Sequence, residues 1–262
     1  MDLNLQGKRV VVTGAVNGIG LAVVRALAAE GAMVTAGARR IGDGLRRLAG
    51  AHPVLPVAVD LSTPDGPADL IDAAATAFGG LDILVNNAGT AQRRTSGFQS
   101  VTDLDWLSTL ETGFLSAVRA TREALPLLLE AGSGAVVTVC SVHATLPDPM
   151  VIDYSAAQAA LASFSKSLSK ELGPRAIRVN TVSPGPLTTD LWLDEDGVAA
   201  PLAHLNGANS GAPANKAALE SATGRRTRPE EVADLVLLLA SERSANVTGS
   251  DFVIDGGLIG TV

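Results

Sequence analysis

The chain has 262 residues, 47% of them hydrophobic, and 27 glycines, so a large core is attainable without disulfide or metal staples. A net charge of -7 leaves no basic footprint for nucleic acid. No run reaches membrane-spanning length, and the apolar, non-basic start lacks the regions of a signal peptide, so the expected setting is the cytoplasm.

The first element follows from residues 9–20. Val10, Val11 and Val12 are consecutive β-branched residues, which predicts a strand buried on both faces of a parallel sheet. The run breaks at Gly14, passes Asn17, and continues through Gly18, Ile19 and Gly20 into the helical spacing Leu21, Val24, Leu27, Ala28, with Gly31 as the stop. A turn that opens a helix this way presents free N–H groups to a diphosphate.

Further apolar runs at Met33 to Ala36 and Val54 to Val59 alternate with helices. In dinucleotide folds the end of the second strand meets the adenosine ribose, where a carboxylate accepts from both hydroxyls and a cation accommodates a 2′-phosphate. Ala38-Arg39-Arg40 stands there without an acid, which favours NADP(H) over NAD(H) with Arg39 as the phosphate partner. A pair of solvated loop arginines is the competing reading, and NAD(H) stays open.

Asp60 and Leu61 follow the third strand, residues 64–78 read as a helix, and Leu81 to Val85 as a fourth strand running into Asn86-Asn87-Ala88-Gly89. Residues 103–130 carry a long helical pattern, Ala135 to Val139 is a fifth strand with Ser141 just beyond it, and Asp153-Tyr154 opens a helix through Lys170. Cys140, the lone cysteine, reads as a small core residue. The sixth strand, Ile177 to Val182, leads into Ser183-Pro184-Gly185-Pro186-Leu187-Thr188-Thr189. Residues 190–222 lack periodicity and read as a substrate lid. A helix from Pro229 to Ala240 and a strand from Asp251 to Ile254 complete one domain without repeats or metal-ligand clusters.

Thr13-Gly14-Ala15-Val16-Asn17-Gly18-Ile19-Gly20 resembles the T-G-x-x-x-G-x-G of short-chain dehydrogenases/reductases, and the resemblance runs from Gly7 to Gly257. It implies a single-domain α/β fold of Rossmann type, a doubly wound parallel sheet of about seven strands with helices on both faces. Asn86 to Gly89 matches the family's N-N-A-G: Asn87, Ala88 and Gly89 would lie against the cofactor, while the Asn86 amide ties neighbouring strands together. Asp60 is placed against the adenine amino group. Residues 184–189 match P-G-x-x-x-T, with Thr189 at the nicotinamide carboxamide. The resemblance also implies pairing of chains through helices 103–130 and 152–173, hence a dimer or tetramer.

The family's tyrosine exchanges the substrate proton, its serine holds the substrate oxygen, and a lysine four residues after the tyrosine lowers the tyrosine pKa and binds the nicotinamide ribose. Ser141 and Tyr154 match; the lysine place holds Gln158, and Gly113 stands where the family's relay asparagine belongs. Gln158 lies one helical turn from Tyr154, able to bond the ribose but uncharged. Lys166 and Lys170 are about 18–24 Å further along the helix axis, too far to substitute. His143 is either a replacement relay or a cleft-lining histidine, the simpler reading. Arg93 and Arg94 read as solvated loop charges sooner than as an anion site.

The function expected from these residues is NADP(H)-dependent interconversion of a carbonyl and a secondary alcohol of a small molecule, with weakened activity. A cofactor-binding protein without dehydrogenase activity, and a non-redox enzyme reusing the pocket, are the alternatives raised by Gln158 and Gly113.

Overall fold

The structure, a computed structural model, describes residues 2–187 and 221–260. Seven parallel strands form one sheet in the order β3-β2-β1-β4-β5-β6-β7. They are β1 Arg9–Thr13, β2 Met33–Ala38, β3 Val54–Ala58, β4 Ile83–Asn86, β5 Gly134–Val139, β6 Ile177–Pro184 and β7 Asp251–Ile254. Among the described residues the α-helices are α1 Gly18–Ala29, α2 Asp43–Ala51, α3 Gly66–Phe78, α4 Asp103–Leu110, α5 Ser116–Glu130, α6 Ile152–Leu172 and α7 Pro229–Ala240.

The three valines of β1 show how the layers are built. Successive strand side chains point to opposite faces. Val10 and Val12 pack into a core shared with α1 and α7, whereas Val11 packs into a second core with α3 and α5, and all three are buried. The sheet is thus covered on both sides, as the uninterrupted β-branched run requires. Strand order reverses between β1 and β4, and a crevice opens there at the carboxyl ends of the strands.

The 103–130 segment departs from a plain α-helix. Between α4 and α5 the residues Glu111–Leu115 form a π-helical turn, with Gly113 buried at its centre. Ser116 Oγ donates to the Thr112 carbonyl at 2.6 Å, supplying a partner within the altered turn. The helix expected over 64–78 begins at Gly66, because the Asp60–Asp65 segment is held as a turn: Thr63 Oγ1 donates to the Asp60 carbonyl and accepts from the Gly66 N–H.

Candidate functional site

Gly14 and Gly20 allow the first turn to close. Gly14 has φ +66°, and a Cβ there would stand 2.9 Å from the Ala88 Cα; a Cβ on Gly20 would stand 2.2 Å from the Gly14 carbonyl oxygen. The turn is bolted to β4 from the other side. Asn87 Nδ2 donates to the Thr13 and Gly14 carbonyls at 3.1 and 3.0 Å, and Thr13 Oγ1 accepts from the Asn87 and Ala88 N–H groups. Asn86 instead sends its amide to Thr121 Oγ1 on α5, at 3.0 Å. The strand-tying role expected of Asn86 therefore belongs to Asn87, because strand alternation turns the Asn86 side chain away from β1.

Asn17 caps α1 without a side-chain bond, so the first-turn N–H groups of Gly18, Ile19 and Gly20 stay available to a ligand. They open onto a cavity of about 1560 Å³. Arg39, exposed just after the buried end of β2, stands at one end of it with Arg25 and Arg40. Asp60 and Leu61 line the same wall, and Ser62 holds one Asp60 oxygen through its N–H and hydroxyl, keeping that carboxyl below its usual range. Ala88 and Gly89 line the middle, and Pro184 and Gly185 the far side. Thr189 and the expected lid, apart from Ser221 and Ala222, lie outside the described residues. The uncapped helix, the glycine turn and the cationic end together fit a dinucleotide phosphate.

Ser141, Tyr154 and Gln158 meet in that cavity. Ser141 leaves β5 and Tyr154 stands in the first turn of α6, so two elements supply the pair. Burial pushes the Tyr154 phenol up to about 12, against a smaller pull downward from its hydrogen bond with Ser141. No lysine among the described residues lines the cavity. Gln158 is buried, its Nε2 lies 4.0 Å from where a Gly89 Cβ would stand, and its Oε1 is buried without a hydrogen-bond partner among the described residues. A Gly113 Cβ would lie 3.7 Å from the Cβ of Ala157, the residue before Gln158. Gly113 therefore packs against the turn of α6 that carries Gln158.

Other side chains are redistributed. Arg94 is no solvated charge: it pairs with Asp153 through Nη2, and with Asp105 at 2.9 Å, while Thr109 Oγ1 donates to Asp153 at 2.7 Å. Those partners consume the cation that a substrate anion would need. Arg93 lines the cavity. Lys166 is committed to the Gly249 carbonyl at 2.6 Å. Cys140 is a buried core thiol whose pKa burial pushes up. His143 lines the cavity, its ring set edge-on to Tyr154 at a centroid distance of 6.1 Å. Ser108 and Thr112, one turn apart, also face the cavity; a helical pattern on its own did not single them out, because polar residues on an exposed face carry no mark of function. No group of residues among those described could hold a metal ion, and no described helix is long and apolar enough to cross a membrane.

The family model described as Enoyl-(Acyl carrier protein) reductase matches residues 14–259. A 3-alpha-(or 20-beta)-hydroxysteroid dehydrogenase from Mycobacterium bovis is 32% identical over 262 residues, covering 99% of this chain and 92% of the relative. A D-threitol dehydrogenase from Mycolicibacterium smegmatis is 35% identical, covering 98% and 94%. The crystal structure of L-sorbose reductase from Gluconobacter frateurii, complexed with NADPH and L-sorbose, superposes with a TM-score of 0.92 at 35% identity and covers 100% of both chains. The chain belongs to the short-chain dehydrogenase/reductase family, and these relatives are oxidoreductases acting on CH–OH groups or the corresponding carbonyls.

Proposed function

We propose that the protein is an NADP(H)-dependent oxidoreductase interconverting a carbonyl and a secondary alcohol of a small molecule, with proton transfer weaker than a charged neighbour of Tyr154 would permit. The Ser141–Tyr154 pair, on the same cavity as the glycine turn, carries this reading. Ser141 would hold the substrate oxygen and Tyr154 exchange its proton. The first turn of α1 would take the diphosphate, Arg39 a 2′-phosphate, and the unpartnered Oε1 of Gln158 a ribose hydroxyl. The bound cofactor supplies hydride transfer. The NADPH in the similar L-sorbose reductase structure supports this cofactor choice.

Pairing of chains through the α4–α6 helices is part of the same proposal, as is a cytoplasmic setting, which suits a lone thiol left unoxidised. Gln158 favours a second reading, a protein that binds NADP(H) without turnover. A panel of carbonyls with NADPH and of alcohols with NADP, followed by absorbance, separates the two: turnover abolished by Tyr154→Phe supports the enzyme, and cofactor binding without turnover on any member supports the second reading. Calorimetry tests the cofactor: NADPH should bind more tightly than NADH and lose that advantage in Arg39→Ala, and equal affinities for the two would overturn the assignment.

A further inference from the structure

The Nδ1 atom of His143 lies 3.1 Å from the Leu146 carbonyl oxygen. A carbonyl only accepts, so Nδ1 carries the hydrogen, and in the neutral ring the opposite nitrogen, Nε2, is left as an acceptor. Nε2 has no hydrogen-bond partner among the described residues, yet the ring lines the catalytic cavity. The ring packs edge-on against that of Tyr154, with centroids 6.1 Å apart and an interplanar angle of 77°, which sets the imidazole next to the proton-exchanging residue.

The two groups that would take the reacting oxygen are already committed to it. Ser141 Oγ accepts from the His143 N–H at 3.2 Å, which fixes the serine and the histidine backbone as one unit. What remains for the imidazole is the next substituent of the substrate. Ser108, Thr112, Gln92 and Asp148 bring further polar groups to the same cavity, alongside the apolar Val142 and Leu146 next to His143.

We infer that His143 is a specificity-determining residue whose Nε2 accepts a hydrogen bond from a hydroxyl on the carbon adjacent to the reacting one, so that the substrate class is a vicinal hydroxyketone or diol. This rests on the proposed carbonyl–alcohol chemistry only for where the reacting oxygen sits. A neutral hydrogen bond of this kind is worth about tenfold in affinity.

The test compares hydroxyacetone with butan-2-one, in which a methyl replaces the hydroxyl, using wild type, His143→Leu and His143→Gln. Initial rates with NADPH give the ratio of kcat/KM for the two ketones, and calorimetric titration of each ketone into the NADPH complex gives the ratio of affinities. Wild type should favour hydroxyacetone about tenfold, His143→Leu should bring both ratios toward one, and His143→Gln, which restores an acceptor near the Nε2 position, should recover much of the preference. A wild type without preference, or a ratio preserved in His143→Leu, overturns the inference. If neither ketone turns over while the affinity ratio still depends on His143, the oxidoreductase reading fails and the inference holds. If neither ketone binds, the inference fails.

Discussion

At Tyr154 the decisive quantity is the cost of a phenolate. Burial holds the phenol near a pKa of about 12, and Ser141 recovers only part of that shift. At neutral pH the group is therefore protonated, ready to donate to a carbonyl and poorly prepared to accept from an alcohol. Alcohol oxidation should rise about tenfold per pH unit through the alkaline range, with no plateau below about pH 10. A cation near 4 Å is worth up to about 4 kcal/mol at an effective dielectric of 20, or roughly 1–3 pKa units. In Gln158→Lys the plateau should thus move down by about 1–3 pH units and oxidation at pH 8 should rise about tenfold or more, less whatever burial of the new ammonium costs. An unchanged pH–rate profile would show that Tyr154 is not the titrating group. The orphaned Oε1 of Gln158 makes a second prediction. Gln158→Met removes a buried acceptor and should raise stability of the ligand-free protein by about 1 kcal/mol in thermal melts, while weakening NADPH binding in calorimetry. A fall in both would mean that the amide is structural. That Gln158 stands one turn from Tyr154 is legible in the sequence, since a four-residue spacing on a helix fixes its own geometry. The orphan and the orientation of His143 are not, because both depend on loops brought together across the sheet.

Arg94 illustrates what pattern cannot reach at the scale of elements. A cation in a glycine- and threonine-containing loop looks solvated, but its partners Asp105 and Asp153 are 11 and 59 residues away in sequence. In space the guanidinium joins the loop after β4 to the start of α4 and the first turn of α6. Burial pulls the Asp153 carboxyl up, but Arg94 and the Thr109 hydroxyl more than offset it, leaving the pKa below the ordinary value. Asp153 is 1% exposed and Arg94 11%, so removal of the cation strands a buried charge. Arg94→Ala should cost about 3 kcal/mol at pH 7 in denaturant unfolding. The pH dependence carries the opposite sign in the two proteins. In wild type the depressed pKa contributes stability that is present above the unfolded value near about 4 and lost as pH falls through the folded one. In Arg94→Ala burial is no longer opposed by the cation, the folded pKa rises, and acidification toward about pH 5 should recover part of the loss. A penalty that does not change with pH would locate the damage in packing instead. The element boundaries themselves were largely readable, apart from the π turn at Gly113, which the sequence marks only by a glycine inside a helical period.

For the whole molecule, the family resemblance implied the doubly wound sheet, and the alternation of apolar runs with helices agrees with it, because parallel strands buried on both faces leave few other arrangements. What they leave open is how one molecule meets another. Phe98, Leu104 and Leu107 are 65, 77 and 55% exposed, and the two leucines lie one turn apart on the same face of α4. Large apolar side chains grouped in this way are suited to burial against a second copy of the chain, as the proposed pairing through these helices requires. Full burial of each leucine contributes about 1.5–3 kcal/mol, so the double variant Leu104→Glu/Leu107→Glu should weaken association about a hundredfold or more per interface. Light scattering at micromolar concentration should therefore give a dimer or tetramer for wild type and a smaller species for the variant, with circular dichroism unchanged because neither side chain serves the core. A monomeric wild type would overturn the pairing, and an oligomer that survives both substitutions would move the interface elsewhere on the surface.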